Sequence, residues 1–594
     1  MRRSNSLWKT TVVSISAMMT VSMGAAVWAA STEKTTQESR SDQAIENETE
    51  KITEDSETKE DSNNTENQTS EPQSAKDASD SSENQTEECK IELSDDGILV
   101  DGEAISTDSE SAVYAGADIV YYKEGQDSTY GAGGEDDGHS EEEAAEHTVV
   151  TITKAGTYRV SGTLSKGQIA IDLGEDSRDD ESAVVNLILN NADITCTVAS
   201  GIVVYNAYEC GSDDTETATK DVDTTNAGVH IILADDSENT VNGSHVAKSY
   251  KEGTTQEDVD AGNAKKQWKF DAAIDSLVSI AFDAEEEETG TLAVNSDNEG
   301  IETSLHLTIN GGTITVNSND DALNANEDGV SVITINGGVL TCNAGGGQEG
   351  DGIDSNGWIV INDGFIVSAA SATSQDSGVD SDNGIYINGG TVLSSGNMYD
   401  EISDDSEQAF VALNFASSVE AGQMFALKNA DGEIVTAFSA ANDFQTLVYS
   451  SSELTDGDYT LCEISSADGV AVSGLYTEVT SVSDEVQLQG SNGAGGFGGM
   501  GGGMGKPNGE RPEMPEGEES SMPEGEMPSG QEGEVPSKPE GEAPSGQNGE
   551  RPERPEDSSE EASSVFTISG ISNNFSHISE LTTEAYEEES STNV

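Results

Sequence analysis

Basic residues are scarce in this sequence. Its 594 residues include 26 Lys or Arg and 115 Asp or Glu, which gives a formal net charge of −89 at pH 7. Nucleic acid is excluded as a partner, because binding to phosphates requires a basic surface. The same charge disfavours anionic membranes and anionic polymers unless a metal ion mediates the contact.

Proline is missing from the middle of the chain. Ten of the eleven prolines lie at or after Pro507, and the other is Pro72. Because proline cannot donate a hydrogen bond to a β-ladder, the stretch between them is typical of paired strands. That stretch is long enough to bury a large core.

Cysteine is also rare, with five residues in the whole chain. They are too few for a disulfide scaffold and show no CxxC spacing of the kind that binds zinc. Cys196 and Cys210 could pair in an exported protein, but their spacing alone does not decide this.

The two ends of the chain differ from its centre. Residues 1–30 carry early Arg residues, an apolar run from Val12 to Val27 and a small-residue site, which predicts a signal peptide and a secreted, extracellular or surface-associated protein. No later run reaches the roughly 20 apolar residues that cross a bilayer. Polar residues 31–88 and the Gly/Met- and Pro-Glu-Gly-rich residues 487–563 are predicted to be disordered and acidic, followed by a C-terminal segment, 564–594.

Four glycines mark an internal repeat. Gly312, Gly338, Gly364 and Gly390 are 26 residues apart, and each ends a phrase such as LTINGG or ITINGG. A fixed period in this range indicates a repeat architecture. Apolar residues alternate with outward ones around each turn, as at Leu307, Thr308 and Ile309, which indicates strands with one buried face.

Recurring strands that stack identical apolar positions predict an all-β fold, a right-handed parallel β-helix over residues 89–404. The polar segments 211–225 and 251–268 are expected to be projecting loops. The period stops near Glu407, and residues 405–486 are predicted to form a small β-rich cap over the open end of the helix.

A second recurring phrase is acidic: NEGIET (298–303), DDALNA (320–325), GDGIDS (350–355) and DSGVDS (376–381). Stacked coils lie roughly 4.8 Å apart, so a column of carboxylates is costly unless it is protonated, hydrogen-bonded or neutralised by a cation. Ca²⁺ is the cation that suits oxygen ligands outside the cell. The predicted metal ligands are Glu302, Asp320, Asp321, Asp351, Asp354, Asp376, Asp380 and Asp382.

Two questions stay open at these acidic phrases. Asp and Asn side chains also cap turns through the backbone, which is an alternative to metal binding. The register of the second coil is ambiguous as well, since a strict period of 26 would place Asp328 rather than Asn324 beside Glu302.

An asparagine precedes each glycine turn, at positions 310, 336, 362 and 388. Stacked amides can bond one another from coil to coil, so this column is predicted to be structural. The outward aromatic residues Trp358, Phe365 and Tyr386 could stack on sugar rings, although scattered exposed aromatics are also common.

No catalytic residue is predicted. Between Phe270 and Gly505 the only Lys or Arg is Lys428 and the only His is His306, whereas eliminative cleavage of an acidic polysaccharide needs a basic side chain. A hydrolase with paired carboxylates is chemically possible. However, the acids recur in every coil, which favours architecture or metal binding over one tuned pair.

The phrases ITKAGTYRVSGTLSKGQIAID, VVNLILNNADI, NEGIETSLHLTINGGTITV and GDGIDS, with the tail that follows, resemble a known family. This is the secreted, calcium-containing parallel β-helix carbohydrate-binding domain of clostridial cell-surface proteins, which is similar in shape to pectate lyases. The resemblance covers roughly residues 149–396. It implies binding to cellulose-like or pectin-like glycans without cleavage. Thr303 and Ser304 stand where the family usually has Lys. The resemblance therefore supports calcium binding more strongly than affinity for acidic sugars.

These observations together predict a secreted, non-catalytic polysaccharide-binding protein with structural calcium. The first alternative is a polysaccharide lyase or glycoside hydrolase on the same fold. The second is an adhesin or a structural protein of the cell wall.

Overall fold

The computed structural model describes residues 88–492 and 562–580, which are almost entirely β-strands and connecting turns. The helical segments of this part are short: Glu141–Ala144, Gln256–Asp260 and the 3₁₀ turn Glu175–Asp179. The predicted all-β class is confirmed. The predicted signal peptide, the acidic segment before residue 88 and the tail from 493 to 561 lie outside the described residues. No helix in the described ranges is long and apolar enough to cross a membrane.

Three stacks of mostly parallel strands form the main body. Stack A comprises Val113–Gly116, Thr148–Ile152, Gly167–Asp172, Ile202–Asn206, Ala272–Ser276, Glu299–Thr303, Leu323–Ala325, Ile353–Ser355 and Asp380–Ser381. Stack B comprises Cys89–Leu93, Gly156–Leu164, Val185–Thr195, Val229–Leu233, Ile280–Ala284, His306–Ile309, Val332–Ile335, Trp358–Ile361 and Ile385–Ile387. Stack C continues from Val185–Thr195 through Glu238–Gly243, Thr291–Ser296, Thr313–Asn317, Val339–Asn343, Phe365–Ala369 and Thr391–Gly396. A short hairpin, Leu99–Val100 with Glu103–Ala104, pairs with the first strand of stack B.

The apolar columns read from the sequence are the core of this body. The chain passes through stacks A, B and C in turn, and each such passage is called a coil here. Leu307, Ile333, Ile359 and Ile385 pair in parallel register from coil to coil, and each is at most 1% exposed. Inward apolar residues from the three stacks meet in one continuous cluster. These four strands of stack B therefore pair with a spacing of 26 residues between equivalent positions.

The glycine of each turn is required by geometry. Gly338 has a φ of +81° and Gly390 a φ of +79°, values that side chains with a Cβ rarely adopt. A Cβ on Gly338 would also lie 2.7 Å from the carbonyl oxygen of Gly312 in the preceding coil. The repeat therefore preserves both a left-handed turn and a close contact between coils.

A covering layer lies over the outer face of the early part of stack A. It contains the three-stranded antiparallel sheet Gly131–Ala132, Val246–Tyr250 and Lys266–Phe270. Side chains such as Tyr122, Val246 and Phe270 pack in it against Val203 of stack A. The prediction that 251–268 is a projecting loop is thus wrong at its end, because Lys266–Phe270 is a strand of this layer.

The cap follows the last coil and joins it through antiparallel pairing of Thr391–Gly396 with Phe444–Ser450. Its own core is built on Phe425, Phe438 and Phe444. Its strands are Phe410–Val419, Met424–Asn429, Ile434–Phe438, Phe444–Ser450, Gly457–Ile464, Ser466–Val472, Leu475–Ser483, Val486–Asn492, Phe566–Ile568 and Ser572–Glu580.

The cap extends beyond its predicted boundary at residue 486. Strand Val486–Asn492 runs past it, and two strands of the predicted C-terminal segment pair with the cap: Phe566–Ile568 with Gly457–Ile464 and Ser572–Glu580 with Phe410–Val419. Phe566 and Phe575 are fully buried there. The apolar residues of this short segment, which follows a long polar tail, are the sequence signal of these two strands.

The five cysteines are all free thiols. Cys196 is buried and Cys210 half-buried, so the structure does not pair them. Cys342 pairs in register with Val316 and is 1% exposed, as expected for a small core residue.

Candidate metal centre

The acidic phrases form one column on the outer side of stack A. Asp275, Glu302, Asn324, Asp354 and Asp380 occupy equivalent positions on successive strands. They alternate with inward residues such as Ile353, because neighbouring side chains of a strand point to opposite faces. The column begins near the covering layer, where Asp275 is 2% exposed, and becomes half-buried at Asp354 and Asp380.

The open question of register is answered by the second coil. Asn324 pairs with Glu302 on one side and Asp354 on the other. Asp328, which a strict period of 26 would place there, is an exposed turn residue whose Oδ1 accepts from Asn356. The acidic phrase DDALNA (320–325) therefore gives the correct pairing, whereas the constant spacing of 26 residues does not. The turns beside this strand differ in length from those of the other coils, while the strand keeps its place in stack A.

Three half-buried carboxylates converge near the end of the column. Asp351, Asp354 and Asp380 each offer one oxygen, and these three oxygens lie within 4.8 Å of one another. Burial raises the pKa of Asp351 to about 10, and the charges of Asp380 and Asp321 add to the effect. Burial likewise raises the pKa of Asp380 to about 7, with Asp400 and Asp354 as the largest charges acting on it.

A second group is more deeply buried. Oxygens of Asp271, Glu299 and Glu302 lie within 4.8 Å of one another, beneath the edge of the covering layer. Burial and the neighbouring carboxylates raise the pKa values of Glu299 and Glu302 above their ordinary range. Asp275, whose pKa is raised for the same reasons, adds a fourth acid to this group.

One basic side chain reaches the buried group. Lys269 Nζ forms an ion pair with the Asp271 carboxylate. Burial alone would lower the pKa of Lys269, but its hydrogen bond to Asp271 and the nearby acids outweigh burial and raise it. Lys269 lies two residues before Asp271, at the edge of the interval in which the sequence has only Lys428 as a Lys or Arg. The fold therefore brings Lys269 to the buried acidic group, although this residue lies just outside the interval from Phe270 to Gly505.

Several predicted metal ligands also cap turns. Asp321 Oδ1 accepts from the backbone N–H of Asp351 at 2.7 Å, and Asp351 Oδ1 accepts from that of Ser377 at 2.6 Å. Asp376 Oδ2 accepts from the N–H of Gly350 at 2.7 Å. Each contact links one coil to the next, so the capping alternative describes part of what these acids do. A carboxylate has a second oxygen and further lone pairs, so capping leaves it able to bind a cation.

The residues brought together differ in part from those predicted. Glu302, Asp351, Asp354 and Asp380 lie in the two groups, whereas Asp320, Asp321, Asp376 and Asp382 lie near them but outside. The predicted ligand set lacks Asp271 and Asp275, and it lacks Glu299 although this residue belongs to the acidic phrase NEGIET (298–303). The signal was available, because DAAIDS (271–276) is a further copy of the acidic phrase, aligned by its pairing with Glu299–Thr303.

The amide of Asn324 has an unmatched oxygen. Its Nδ2 donates to Glu299 Oε2 at 3.2 Å, while Oδ1 is buried with no hydrogen-bond partner. Asn324 is 7% exposed and lies between the two acidic groups. A buried acceptor without a donor is costly, and an amide oxygen is a suitable calcium ligand.

The outward aromatic residues do not form one unobstructed surface on which a sugar ring could stack. The Lys220 Nζ lies 4.9 Å from the ring centre of Tyr386, and Phe365 packs against the core of the cap. Trp358 is half-buried on its strand. The asparagine column, in contrast, is a ladder as predicted: Asn336, Asn362 and Asn388 each donate to the preceding asparagine at 2.9 Å.

The chain is similar to one protein family and to a solved structure. No curated protein matches the chain. Among solved structures, the chain is similar to the polysaccharide lyase-like protein from C. thermocellum in its gadolinium derivative, at 22% identity over 51% of this chain and 90% of that chain, with a TM-score of 0.31. A family described as carbohydrate-binding domain-containing protein matches residues 146–469, more than half of the sequence. The chain therefore belongs to the carbohydrate-binding domain-containing protein family.

Proposed function

We propose that this is a secreted, non-catalytic protein that binds a plant cell-wall polysaccharide of the cellulose or pectin type and carries structural calcium. In this proposal the three stacks wind as a right-handed parallel β-helix, closed at one end by the cap. Family membership supports the binding of carbohydrate. The acidic column supports the calcium.

The protonation state of Lys269 is the observation that supports a non-catalytic role. Elimination requires an unprotonated base beside the sugar, and Lys269 is the basic residue that contacts the acidic groups. Its ion pair with Asp271 keeps it protonated, since the pKa of Lys269 is raised. The same contact makes Lys269 a counter-charge for the buried acids.

Calcium fits the half-buried group better than the buried one. Asp351, Asp354 and Asp380 form no ion pair with a Lys or Arg among the described residues. Ca²⁺ uses six to eight oxygen ligands, and carboxylates and amide oxygens both qualify. A cation there would displace the protons that the raised pKa values hold, and would offset the mutual repulsion of the column.

The binding proposal is tested with the full-length secreted protein. The mature protein should begin near Ala29 or Ala30, as read by mass spectrometry of the culture medium. It should co-sediment with at least one insoluble plant glycan, and reducing ends and unsaturated uronides should stay at the level of the blank. Retention on peptidoglycan but on no plant glycan would instead support a wall-associated structural protein.

Cleavage would overturn the non-catalytic part. A rise in unsaturated uronide absorbance that is lost in Lys269→Ala would identify a lyase. Release of reducing ends that is lost in Asp354→Asn and Asp380→Asn would identify a hydrolase with paired carboxylates. Co-sedimentation measured with and without chelator separates a structural calcium from one that bridges an acidic sugar.

A further inference from the structure

A cavity of about 550 Å³ lies between the last coil and the cap, and its lining meets the end of stack A at Asp400, which accepts from the backbone N–H of Ser381. One wall comes from the chain around Gln375 and Asn397–Asp400, and another from cap strands Phe410–Val419 and Phe444–Ser450. The C-terminal strand Ser572–Glu580 closes a third side. Its volume lies within the range of about 300–1,000 Å³ that is usual for small-molecule sites.

The lining is rich in neutral amides. Five Asn or Gln residues contribute to it: Gln375, Asn397, Asn414, Gln445 and Asn574. Each amide is both a donor and an acceptor, as is each hydroxyl of a sugar. Lys and Arg are absent from the described lining, and His577 is the residue there that can carry a positive charge, so the lining offers little compensation for a phosphate or carboxylate ligand. Asp400 is the acid there, and its charge would repel an anionic ligand.

A hydrogen-bond chain holds part of this lining in place. Asn574 Nδ2 donates to the Tyr399 hydroxyl at 3.0 Å, and Asn414 Nδ2 donates to Asn574 Oδ1 at 3.1 Å. Thr446 Oγ1 donates to Asn414 Oδ1 at 3.1 Å. Because the Tyr399 oxygen accepts in this chain, its own proton is available to a ligand. The donors and acceptors are thus preorganised by four separate segments of the chain, at residues 399, 414, 446 and 574.

The cavity has an exposed rim and a buried floor. Gln375, Ala416 and Gln445 are exposed at the rim, whereas Phe415 and Thr446 are buried. His577, also exposed at the cavity, has a φ of +57°. Left-handed backbone in a non-glycine residue within a strand is uncommon and persists where the surrounding structure holds it.

We propose that this cavity is the glycan-binding site and that it takes a neutral sugar unit of a polysaccharide chain. The proposal rests on the proposed function, because it assigns the site for the same binding. It places recognition on the amides of the last coil, the cap and the C-terminal strand. The acidic column then has a separate, structural role.

The test uses the full-length protein and calorimetric titration with cello-, xylo- and manno-oligosaccharides, with oligogalacturonate as the acidic probe. Ala416→Trp places a bulky ring at the rim without removing a polar group, and Ala421→Trp makes the same change at an exposed residue outside the cavity. Gln375→Ala with Gln445→Ala removes two rim amides, and Gln126→Ala is the matched control on an exposed loop. We expect Ala416→Trp to abolish binding of a neutral oligosaccharide and the Gln pair to weaken it at least about tenfold.

The outcomes separate this site from the general function. Unchanged affinity in both rim variants would overturn the cavity as the site while leaving polysaccharide binding intact. Binding of oligogalacturonate alone, or of insoluble glycan without any neutral oligosaccharide, would overturn the neutral-sugar assignment. Failure of the wild-type protein to bind any glycan would overturn the proposed function and this site together. Equal losses in Ala421→Trp and Ala416→Trp would count against the site, since they would reflect general damage to the cap.

Discussion

Asn324 and Asp354 occupy equivalent places on adjacent strands of stack A. A neutral amide thus interrupts a column that is acidic on both sides of it, and its buried Oδ1 has no donor. This arrangement lowers the repulsion in the column when no cation is present. It also leaves an oxygen that a cation can use.

Replacing Asn324 with Asp tests this balance directly. Asn324→Asp adds a carboxylate beside Glu302 and Asp354, so we expect the variant to melt at a lower temperature than the wild type in chelator. Calcium should raise its melting temperature by more than it raises that of the wild type, because the added charge strengthens the site. Thermal melts across a calcium titration measure both effects. A variant that responds to calcium no more than the wild type would place the ion elsewhere.

Removing two of the carboxylates should weaken the stabilisation by calcium instead of strengthening it. Asp351→Asn with Asp354→Asn should weaken calcium binding in calorimetry and abolish most of the calcium-dependent rise in melting temperature. Binding to the native state alone stabilises by mass action, by about 2.7 kcal/mol at one hundred times the dissociation constant. Asp328→Asn is the control for charge, since it removes one carboxylate, against two in the double variant, from an exposed turn outside both acidic groups. If that control lost as much of the calcium-dependent rise in melting temperature, the loss would reflect a general effect of net charge.

The repeat made much of stack B predictable, whereas the site was predictable only in part. Columns such as Leu307 and Ile333 follow from a constant spacing and the alternation of a strand. The acidic column does not keep that spacing, because turns between its strands vary in length. Lys269 reaches Asp271 from a strand of the covering layer. That strand is not part of the repeat, so the period of the sequence does not predict the contact. Phe566 and Phe575 belong to the cap although a long polar tail precedes them, and only tertiary packing brings them back.

The inward columns should tolerate charge far less than the outward ones. Ile335 and Ile361 are fully buried, and Thr334 is half-buried on the opposite face of the same strand. Ile335→Asp and Ile361→Asp should each cost several kcal/mol, because an unpaired charge enters the apolar core. Thr334→Asp should cost about 1 kcal/mol or less. Urea denaturation of the three variants measures this, and equal losses at all three positions would contradict the coil register.

His245 predicts how stability depends on pH. Its Nδ1 lies 3.1 Å from Asp297 and its Nε2 lies 3.2 Å from Asp137, so one imidazole joins the covering layer to the stacks. The hydrogen bond to Asp297 is the largest contribution that raises the pKa of His245, which reaches about 9 against an ordinary 6.5. A raised pKa means that the folded chain holds this proton more tightly than the unfolded chain. The stabilisation is therefore complete below pH 6.5 and is lost as the pH rises through about 9.

The loss across that window should be at most about 3.5 kcal/mol, since one pKa unit corresponds to about 1.4 kcal/mol. His245→Gln keeps a polar side chain without the charge, so its stability should change less than that of the wild type between the two ends of the window. Urea titrations at a series of pH values, with calcium at the same excess concentration throughout, give the difference. His577→Gln, a change at an exposed histidine of the cap, should follow the wild-type curve. A wild-type curve that coincides with that of His245→Gln would mean that the Asp137–His245–Asp297 bridge does not hold its proton in solution.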